Sequence, residues 1–363
     1  MTSKIENITI EQLPIIDIES YGNDKEEELK KKLISKEIEN ACKNFGFFYI
    51  KGHGIDQELI DRLERLSKKF FSLDQSIKMK YRMELAQKAW RGYFVVGGEL
   101  TSGLKDWKEG LYLGTELNDD HPLVIAQTPL HGLNLFPTLE EEIEYDIVGF
   151  KDTILTYIDK VTKLGHSLME LIAISLNLSA DYFSSRYTKD PLILYRIFNY
   201  PSIISSGDDN KTTGESSDDN DKVEWGVGEH TDYGVLTILY QDDVGGLQVH
   251  SKNGWISAPP IKGTFVCNIG DMLDRMTGGL YRSTPHRVEL NRSGRDRISF
   301  PLFFDPNFNS YPTEIEGIEQ IENKDDSSSR WDHFNIHSFK GSYGQYLLNK
   351  IGKVFPDLKN NVL

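Results

Sequence analysis

The N-terminal part of the chain combines short apolar runs with apolar residues at helical spacing. Apolar runs at 13–18 and 47–50 predict two short strands. Between them, apolar residues recur at helical spacing from Leu29 and Leu33 to Phe45, which predicts a helix with these side chains on its buried face. This part of the chain is therefore predicted to pack helices around a few strands.

The same helical period predicts further helices along the chain. Asp56 can act as the N-cap of one helix, and a long helix covers roughly 147–176. A last helix is predicted from about 339 to 353. These helices would flank whatever sheet the remaining segments build.

From about residue 190, the pattern changes to short β-rich segments separated by turn residues. The predicted strands are 192–200, 235–240, 246–250, 264–269, 286–290 and 298–304. Many short strands with Gly and Pro between them indicate a sandwich or jelly roll. The predicted fold class is therefore mainly β with flanking helices.

Composition narrows the class of protein. The chain has 363 residues, 38% of them hydrophobic, which is enough for a sizeable core. Its two cysteines, Cys42 and Cys267, exclude a disulfide framework. The first residues show no apolar secretory signal, and no run approaches about 18 apolar residues. We therefore expect a cytoplasmic protein without a membrane partner.

The charge balance disfavours nucleic acid as a partner. There are 41 Lys and Arg against 56 Asp and Glu, a net charge of −15, whereas binding to phosphates needs basic patches. Residues 205–222 alone hold six acidic residues and two lysines. This segment and residues 322–330 are predicted to be solvated surface loops. Part of the acidic balance therefore belongs to loops and carries little functional information.

His230-Thr231-Asp232 is the first candidate for chemistry. On a strand, residues i and i+2 point to the same face, so His230 and Asp232 can present an imidazole and a carboxylate to one metal ion. Chance alone gives about one His-x-acid triplet in a chain of this composition. A simple pairing of Asp232 with a surface histidine therefore remains open at this point.

His286 can complete a metal site. It lies on a later predicted strand, in Ser283-Thr284-Pro285-His286. Two histidines and one carboxylate leave one face of an octahedral ion open, as in non-haem Fe(II) oxygenases. A core or surface histidine without a ligand role is the alternative interpretation of His286.

Arg297 and Ser299 share the i, i+2 spacing on the last predicted strand. A guanidinium and a hydroxyl on one face suit the far carboxylate of a dicarboxylic acid. The spacing is common by chance, and a salt bridge on an edge strand would explain it equally well.

Five other residues are given structural interpretations. His53 lies between two glycines and is predicted to belong to a turn, and His250 ends a strand and is predicted to be exposed. Asp242 and Asp243 are predicted to face solvent in a turn. Cys267 has apolar neighbours and is predicted to be packed rather than reactive.

The order of these candidate residues along the chain, and the sequences around them, resemble the 2-oxoglutarate and Fe(II)-dependent oxygenases of the isopenicillin N synthase-like superfamily. These enzymes are also called iron/ascorbate-dependent oxidoreductases. The resemblance covers roughly residues 12–308. The matching segments are LPIIDI, ENACKNFGFFYIKGHGI, FFSLDQSIKMKY, RGY, DWKEGLYLG, YRIFNYP, GEHTDYGVLTILYQDDVGGLQV, FVCNIGDML, YRSTPHRV and RISFPLFFDP.

The resemblance implies roles for six residues. His230, Asp232 and His286 match the iron ligands, with no further catalytic side chain implied. The cosubstrate residues are matched by Arg297, Ser299 and Tyr200.

The sequence also departs from the family pattern. Many plant members have Asn two residues before the tyrosine, where this chain has Phe198. One hydrogen bond to the cosubstrate is therefore missing or supplied differently. The segment 205–222 is longer and more acidic than the usual connection.

The resemblance implies a double-stranded β-helix, a jelly-roll variant, with a helical N-terminal region. It divides the chain into an N-terminal dioxygenase region at 12–130, a catalytic domain at 190–308 and a helical tail at 309–363. The implied reaction is hydroxylation or desaturation of a small organic substrate by O2, with release of succinate and CO2. Ascorbate (vitamin C) is the implied reductant, and a monomer is the expected state.

Other functions remain open on the sequence. Isopenicillin N synthase and aminocyclopropane-carboxylate oxidase share this fold without using 2-oxoglutarate, and the latter uses ascorbate. A non-catalytic binding module would be expected to lack a ligand, and none of the three is missing. A zinc hydrolase is a further alternative, because zinc accepts the same ligands.

Overall fold

Two β-sheets form the centre of the protein. The computed structural model describes residues 12–19, 24–203, 225–319, 321, 325, 327–330 and 332–355. The strands are β1 (Ile15–Asp17), β2 (Phe47–Lys51), β3 (Gly92–Phe94), β4 (Leu100–Thr101), β5 (Leu104–Lys105), β6 (Glu109–Gly114), β7 (Leu192–Tyr200), β8 (Val227–His230), β9 (Leu236–Gln241), β10 (Leu247–Ser251), β11 (Gly254–Ser257), β12 (Phe265–Ile269), β13 (His286–Val288) and β14 (Arg297–Asp305).

The larger sheet has eight strands in the order β1-β2-β12-β9-β14-β7-β6-β3, and the smaller has four in the order β11-β10-β13-β8. The strands β4 and β5 pair only with each other. The order does not follow the chain, so the chain crosses repeatedly between the two sheets. Residues from both sheets line one cavity between them. This arrangement confirms the predicted jelly-roll core.

Helices flank the two sheets. In the described part of the chain they are α1 (Asp24–Asn44), α2 (Gln57–Phe71), α3 (Gln75–Lys78), α4 (Pro122–Ile125), α5 (Leu139–Glu144), α6 (Phe150–Ser175), α7 (Tyr182–Arg186), α8 (Asp271–Met276) and α9 (Tyr343–Val354). The long helix α6 contacts α1, α2, β9 and β14. Gly165 lies where a Cβ would approach the Phe304 ring to 2.4 Å, so the absent side chain lets α6 pack closely on β14. The predicted mainly β class with flanking helices is confirmed.

The predicted buried face of α1 is wrong in part. Leu29 and Leu33 are 62% and 60% exposed, whereas Ile34, Ile38 and Cys42 are buried. The 3.6-residue period places Leu29 half a turn away from Ile38, so both cannot face the core. The buried face of α1 is therefore narrower than the apolar repeat predicts.

The predictions for the last helix and for the two loops are confirmed only in part. Helix α9 begins at Tyr343 rather than near 339, because Ser342 and Gln345 form a capping box there. The segment 205–222 lies outside the described residues. Within 322–330 the loop prediction is wrong for Arg330, whose guanidinium is buried and 2.7 Å from Asp271. Among the described residues, no helix has the length and apolarity needed to cross a membrane.

Candidate metal centre and cosubstrate site

The three predicted ligand residues meet in the cavity between the sheets. His230 ends β8 and stands opposite His286, the first residue of β13, in the small sheet. Asp232 Oδ1 lies 3.8 Å from His230 Nε2 and 3.7 Å from His286 Nε2. One ligand atom from each residue lies within 4.8 Å of the other two. The geometry therefore offers two imidazoles and a carboxylate to a single ion.

Backbone carbonyls orient both imidazoles. His230 Nδ1 is 2.8 Å from the carbonyl oxygen of Gly228, and His286 Nδ1 is 3.2 Å from that of Thr284. A carbonyl only accepts, so the proton sits on each Nδ1 and each Nε2 keeps its lone pair. Burial, together with the nearby His230, lowers the pKa of His286 to about 4. The His286 imidazole is therefore neutral at pH 7, as a metal ligand must be.

Two polar side chains hold the Asp232 carboxylate. Thr237 Oγ1 donates to Asp232 Oδ2 at 2.5 Å, and Asn268 Nδ2 donates to the same oxygen at 2.7 Å. These bonds leave Oδ1 facing the two histidines. Neither Thr237 nor Asn268 is among the residues predicted from the sequence, although a polar residue inside an otherwise apolar strand such as FVCNI was a usable signal.

Replacing Asn268 by Leu is expected to weaken Fe(II) binding by about 10- to 100-fold, because one fixed bond to the Asp232 carboxylate is lost. Cys267→Ala is the matched control, since this buried neighbour lies on the same strand with its side chain on the opposite face. Anaerobic titration with Fe(II) measures both variants. Equal affinities in the two variants would contradict the role given to Asn268.

Arg297, Ser299 and Tyr200 meet on the large sheet, where Arg297 is paired with Tyr200 across β14 and β7. Arg297 is 1% exposed, and its Cζ lies 4.7 Å from the Tyr200 ring centroid. Its Nη2 donates to Gln241 Oε1 at 3.2 Å, while Nε and Nη1 are buried without a partner among the described residues. Unpaired donors on a buried guanidinium suit a carboxylate from a bound molecule.

Phe198 stands beside Ser299 in the same register. Its ring lines the cavity and offers no hydrogen-bonding group, so this position gives no hydrogen bond to a bound molecule. Lys108 Nζ lies 5.0 Å from the Phe198 ring centroid. A cation thus occupies the space near this ring.

The prediction for Asp242 is wrong. It is 2% exposed, and its carboxylate accepts the backbone N–H of Ile298 at 2.7 Å and that of Val244 at 3.1 Å. Burial raises its pKa. Asp243 does face solvent, where it is 2.8 Å from Arg295. Asp242 therefore ties the end of β9 to the start of β14, next to Arg297.

The remaining structural interpretations are confirmed. His53 Nδ1 accepts the N–H of Ile55 at 3.1 Å in the turn after β2. His250 is exposed and contacts Trp255 edge to face. Cys267 is fully buried. None of the three lines the cavity that holds the ligand residues.

The C-terminal helix completes the cavity. Helix α9 contributes Leu347, Ile351 and Val354 to the cavity wall. The volume of the cavity is about 140 Å³. Tyr346 anchors α9 by donating to Asp271 Oδ2 at 2.6 Å, and the N–H of Asp271 donates to the carbonyl of Asp232 at 2.8 Å. The apolar spacing from about 339 to 353 predicts this helix, but it does not indicate that the helix would line the site.

Asp305 is the last residue of β14 in this cavity. Tyr343 donates to its Oδ2 at 2.5 Å, while Oδ1 is buried without a partner among the described residues. Burial raises the pKa of Asp305 to about 7. An exposed aspartate has a pKa of about 3.9, so the folded state holds an extra proton between these values. The free energy of unfolding contributed by this group therefore falls as pH rises from about 4 to about 7.

Asp305→Asn is expected to remove this pH dependence. Between about pH 4.5 and pH 7.5, the free energy of unfolding should fall by about 2 kcal/mol or more in wild type beyond any fall in the variant. Urea unfolding of the metal-free proteins at both pH values measures the difference. Asp243→Asn, at an exposed site, is the control and should follow wild type. Parallel stability changes in wild type and Asp305→Asn would contradict the raised pKa.

Known proteins share both halves of this sequence. A family model described as the non-haem dioxygenase in morphine synthesis N-terminal region matches residues 13–139, and the 2OG-Fe(II) oxygenase superfamily model matches residues 197–306. A Dictyostelium discoideum protein named 1-aminocyclopropane-1-carboxylate oxidase is 51% identical over 365 residues, covering 96% of this chain and 97% of that protein. A Glycine max homoarginine-6-hydroxylase is 33% identical, covering 90% of this chain and 90% of that protein.

A solved structure shares the fold over nearly the whole chain. It is the crystal structure of a full-length Neurospora crassa protein in complex with alpha-KG and thymine. It superimposes with a TM-score of 0.73 at 29% identity, covering 94% of this chain and 96% of that one. The likeness therefore extends over most of the chain and is not confined to the two sheets.

Proposed function

Because this chain belongs to the 2OG-Fe(II) oxygenase superfamily, we propose that His230, Asp232 and His286 are its Fe(II) ligands. The activity is Fe(II)- and 2-oxoglutarate-dependent oxygenation, in the class of the 2-oxoglutarate-dependent dioxygenases, EC 1.14.11. The observation that carries the assignment is the convergence of two free Nε2 atoms and Asp232 Oδ1 within 4.8 Å. Such a set leaves one face of an octahedral ion open for other ligands.

Arg297, Ser299 and Tyr200 are proposed to hold the far carboxylate of 2-oxoglutarate. The buried Nε and Nη1 of Arg297 lack partners among the described residues and can both donate to a carboxylate. Gln241 keeps Nη2 occupied, and the Tyr200 ring supports the guanidinium. The hydroxyl of Ser299, two residues along the same strand face, adds a further donor.

The protein residues prepare the site for the reaction. When bound, Fe(II) would activate O2; over one turnover 2-oxoglutarate would give one electron pair as it loses CO2 and becomes succinate, and the substrate would give the other as it is oxidised. The Gly228 and Thr284 carbonyls keep both imidazoles oriented, each with a free Nε2. Apolar side chains of α9 exclude water from the cavity.

We propose further properties at a finer level. Ascorbate serves as the reductant that keeps the iron ferrous, and the substrate is a small organic molecule. The chain works as a monomer in the cytoplasm. With a net charge of −15 it has no nucleic-acid or membrane partner. Size-exclusion chromatography with light scattering measures the oligomeric state, and turnover with and without ascorbate tests the reductant.

Succinate release tests the proposed function. The full chain is incubated with Fe(II), 2-oxoglutarate, ascorbate and candidate substrates, and products are followed by mass spectrometry. We expect succinate coupled to the gain of one oxygen atom or the loss of two hydrogen atoms in one substrate. Absence of succinate with every candidate would contradict the use of 2-oxoglutarate.

A second candidate function is oxidation without 2-oxoglutarate. It is favoured by the Dictyostelium relatives, which are named as 1-aminocyclopropane-1-carboxylate oxidases and are 51% identical to this chain. Consumption of 1-aminocyclopropane-1-carboxylate with Fe(II) and ascorbate alone would support it. Dependence of that consumption on 2-oxoglutarate would exclude it.

A further inference from the structure

Four polar side chains form one continuous surface in the cavity, here called the polar wall: Glu99, Lys108, Tyr112 and Arg196. Tyr112 on β6 is paired directly with Arg196 on β7, and the Arg196 Cζ lies 3.4 Å from the Tyr112 ring centroid. Tyr112 donates its hydroxyl to Glu99 Oε1 at 2.6 Å, and Lys108 Nζ is 2.8 Å from Glu99 Oε2. The polar wall therefore presents both signs of charge side by side.

Arg196 is a buried cation that forms no salt bridge among the described residues, although Glu99 and Asp305 favour its charge from a longer distance. It is 5% exposed, and its Nη1 donates to the carbonyl oxygens of Tyr195 at 3.2 Å and Leu113 at 3.4 Å. Within the described part of the chain, no carboxylate lies at ion-pair distance from its guanidinium. Burial lowers the pKa of Arg196. A carboxylate from a bound molecule would offset the cost of burying this charge.

Glu99 is the anion of the polar wall. Its side chain is 12% exposed and the residue lines the cavity, with Oε2 buried against Lys108. Burial acts to raise the pKa of Glu99, but the Lys108 ammonium and the Tyr112 hydroxyl outweigh it and hold the pKa below its usual value. A carboxylate accepts about four hydrogen bonds, so the two present donors leave room for another.

Lys108 neutralises carboxylates of the protein and is not free to pair with a ligand. Besides Glu99, its ammonium pairs with Asp106, a second buried carboxylate. Asp106 Oδ1 in turn accepts the N–H of Gly228 at 3.1 Å. Lys108 is thus already shared between two acids, which leaves Arg196 as the cation of the polar wall that can meet a ligand.

We propose that the polar wall recognises a small zwitterionic amino acid, whose carboxylate pairs with Arg196 and whose ammonium group pairs with Glu99. This assignment names the substrate class of the proposed oxygenase and so rests on the proposed function. Arg297 lies further along the sheet beside Tyr200 and Ser299, so the cosubstrate and the amino acid use different arginines. Arg196 and Glu99 are then the residues that determine substrate specificity.

A series of three small ligands tests the proposal. 1-Aminocyclopropane-1-carboxylate carries both charges, cyclopropanecarboxylate only the negative one, and cyclopropylamine only the positive one. Binding is measured by calorimetry to the full chain, both metal-free and loaded anaerobically with Fe(II) and 2-oxoglutarate. Each charged contact is expected to contribute about 10- to 100-fold in affinity, so the zwitterion should bind at least tenfold more tightly than either partial ligand.

Variants separate the two contacts. Arg196→Met should weaken the zwitterion and cyclopropanecarboxylate by about 10- to 100-fold and leave cyclopropylamine unchanged. Glu99→Gln should weaken the zwitterion and the amine and spare the acid, and Glu99→Asp should restore most of the loss. Arg287→Met is the matched control, because this arginine is stacked on Trp225 and Trp255 outside the cavity. It should bind all three ligands like wild type.

Three outcomes would overturn the proposal. They are equal binding of the three ligands to wild type, equal losses for acid and amine in Arg196→Met, and tighter binding of neutral thymine than of the zwitterion. Thermal unfolding of each variant shows whether a loss reflects misfolding. Succinate release without a zwitterion preference would reject only this proposal. Zwitterion binding without any succinate would instead reject the proposed function.

Discussion

Replacing Asp232 by alanine is expected to reduce turnover by about 10³-fold or more, because two imidazoles alone hold Fe(II) poorly and in no fixed geometry. The lost carboxylate oxygen lies 3.7 and 3.8 Å from the two Nε2 atoms and carries the negative charge of the set. The fold should persist, although Thr237 and Asn268 lose their shared acceptor. Succinate production and bound iron measure the effect, and circular dichroism checks the fold.

Asp243→Ala is the control for this prediction. Asp243 is an exposed carboxylate paired with Arg295, so its removal should leave iron content and turnover unchanged. A folded Asp232→Ala protein that keeps iron and turns over at a rate near that of wild type would refute the ligand assignment.

Replacing Arg297 by alanine is expected to raise the KM for 2-oxoglutarate by about 10- to 100-fold, since a charge-assisted pair of hydrogen bonds is lost. The KM for the substrate should change much less, because the proposed substrate contacts come from the polar wall. At saturating 2-oxoglutarate most of the turnover should return. Steady-state kinetics with each reactant varied in turn separates the two constants.

Arg295→Ala is the matched control, two residues earlier, where the guanidinium is exposed and paired with Asp243. It should leave both KM values unchanged. Equal increases in the two KM values of Arg297→Ala, or an increase only for the substrate, would contradict the cosubstrate role of Arg297.

The strands, and the meeting of two histidines and an aspartate, could be predicted in part from the sequence for a physical reason. Buried strands such as β7 and β14 read as continuous apolar segments, and the predicted 192–200 coincides with Leu192–Tyr200. Side-chain alternation along a strand is enough to place Arg297 with Ser299 on β14. Asp232 lies two residues beyond the end of β8, so its approach to His230 depends on the turn that follows the strand. Joining His286 to this set required the family pattern, because the chain alone does not say which strands are neighbours.

Other features were not predictable because they depend on contacts between distant segments. Asp242 was assigned to solvent from its place in a turn, yet it is buried because β14 presents the Ile298 N–H to it. Arg330 lies in an acidic, polar segment, and only the fold brings it to Asp271. The polar wall likewise combines residues from β6, β7 and the segments around β4 and β5, whose individual spacing carries no signal.

We propose that one cavity holds Fe(II) on His230, Asp232 and His286 and 2-oxoglutarate on Arg297. An anaerobic titration of the full chain with Fe(II) and then 2-oxoglutarate tests this claim without knowledge of the substrate. We expect a weak visible charge-transfer band in wild type, no such band in Asp232→Ala, and a higher 2-oxoglutarate requirement for the band in Arg297→Ala. No band in wild type, together with tight retention of zinc, would contradict the claim and indicate a hydrolytic metal site.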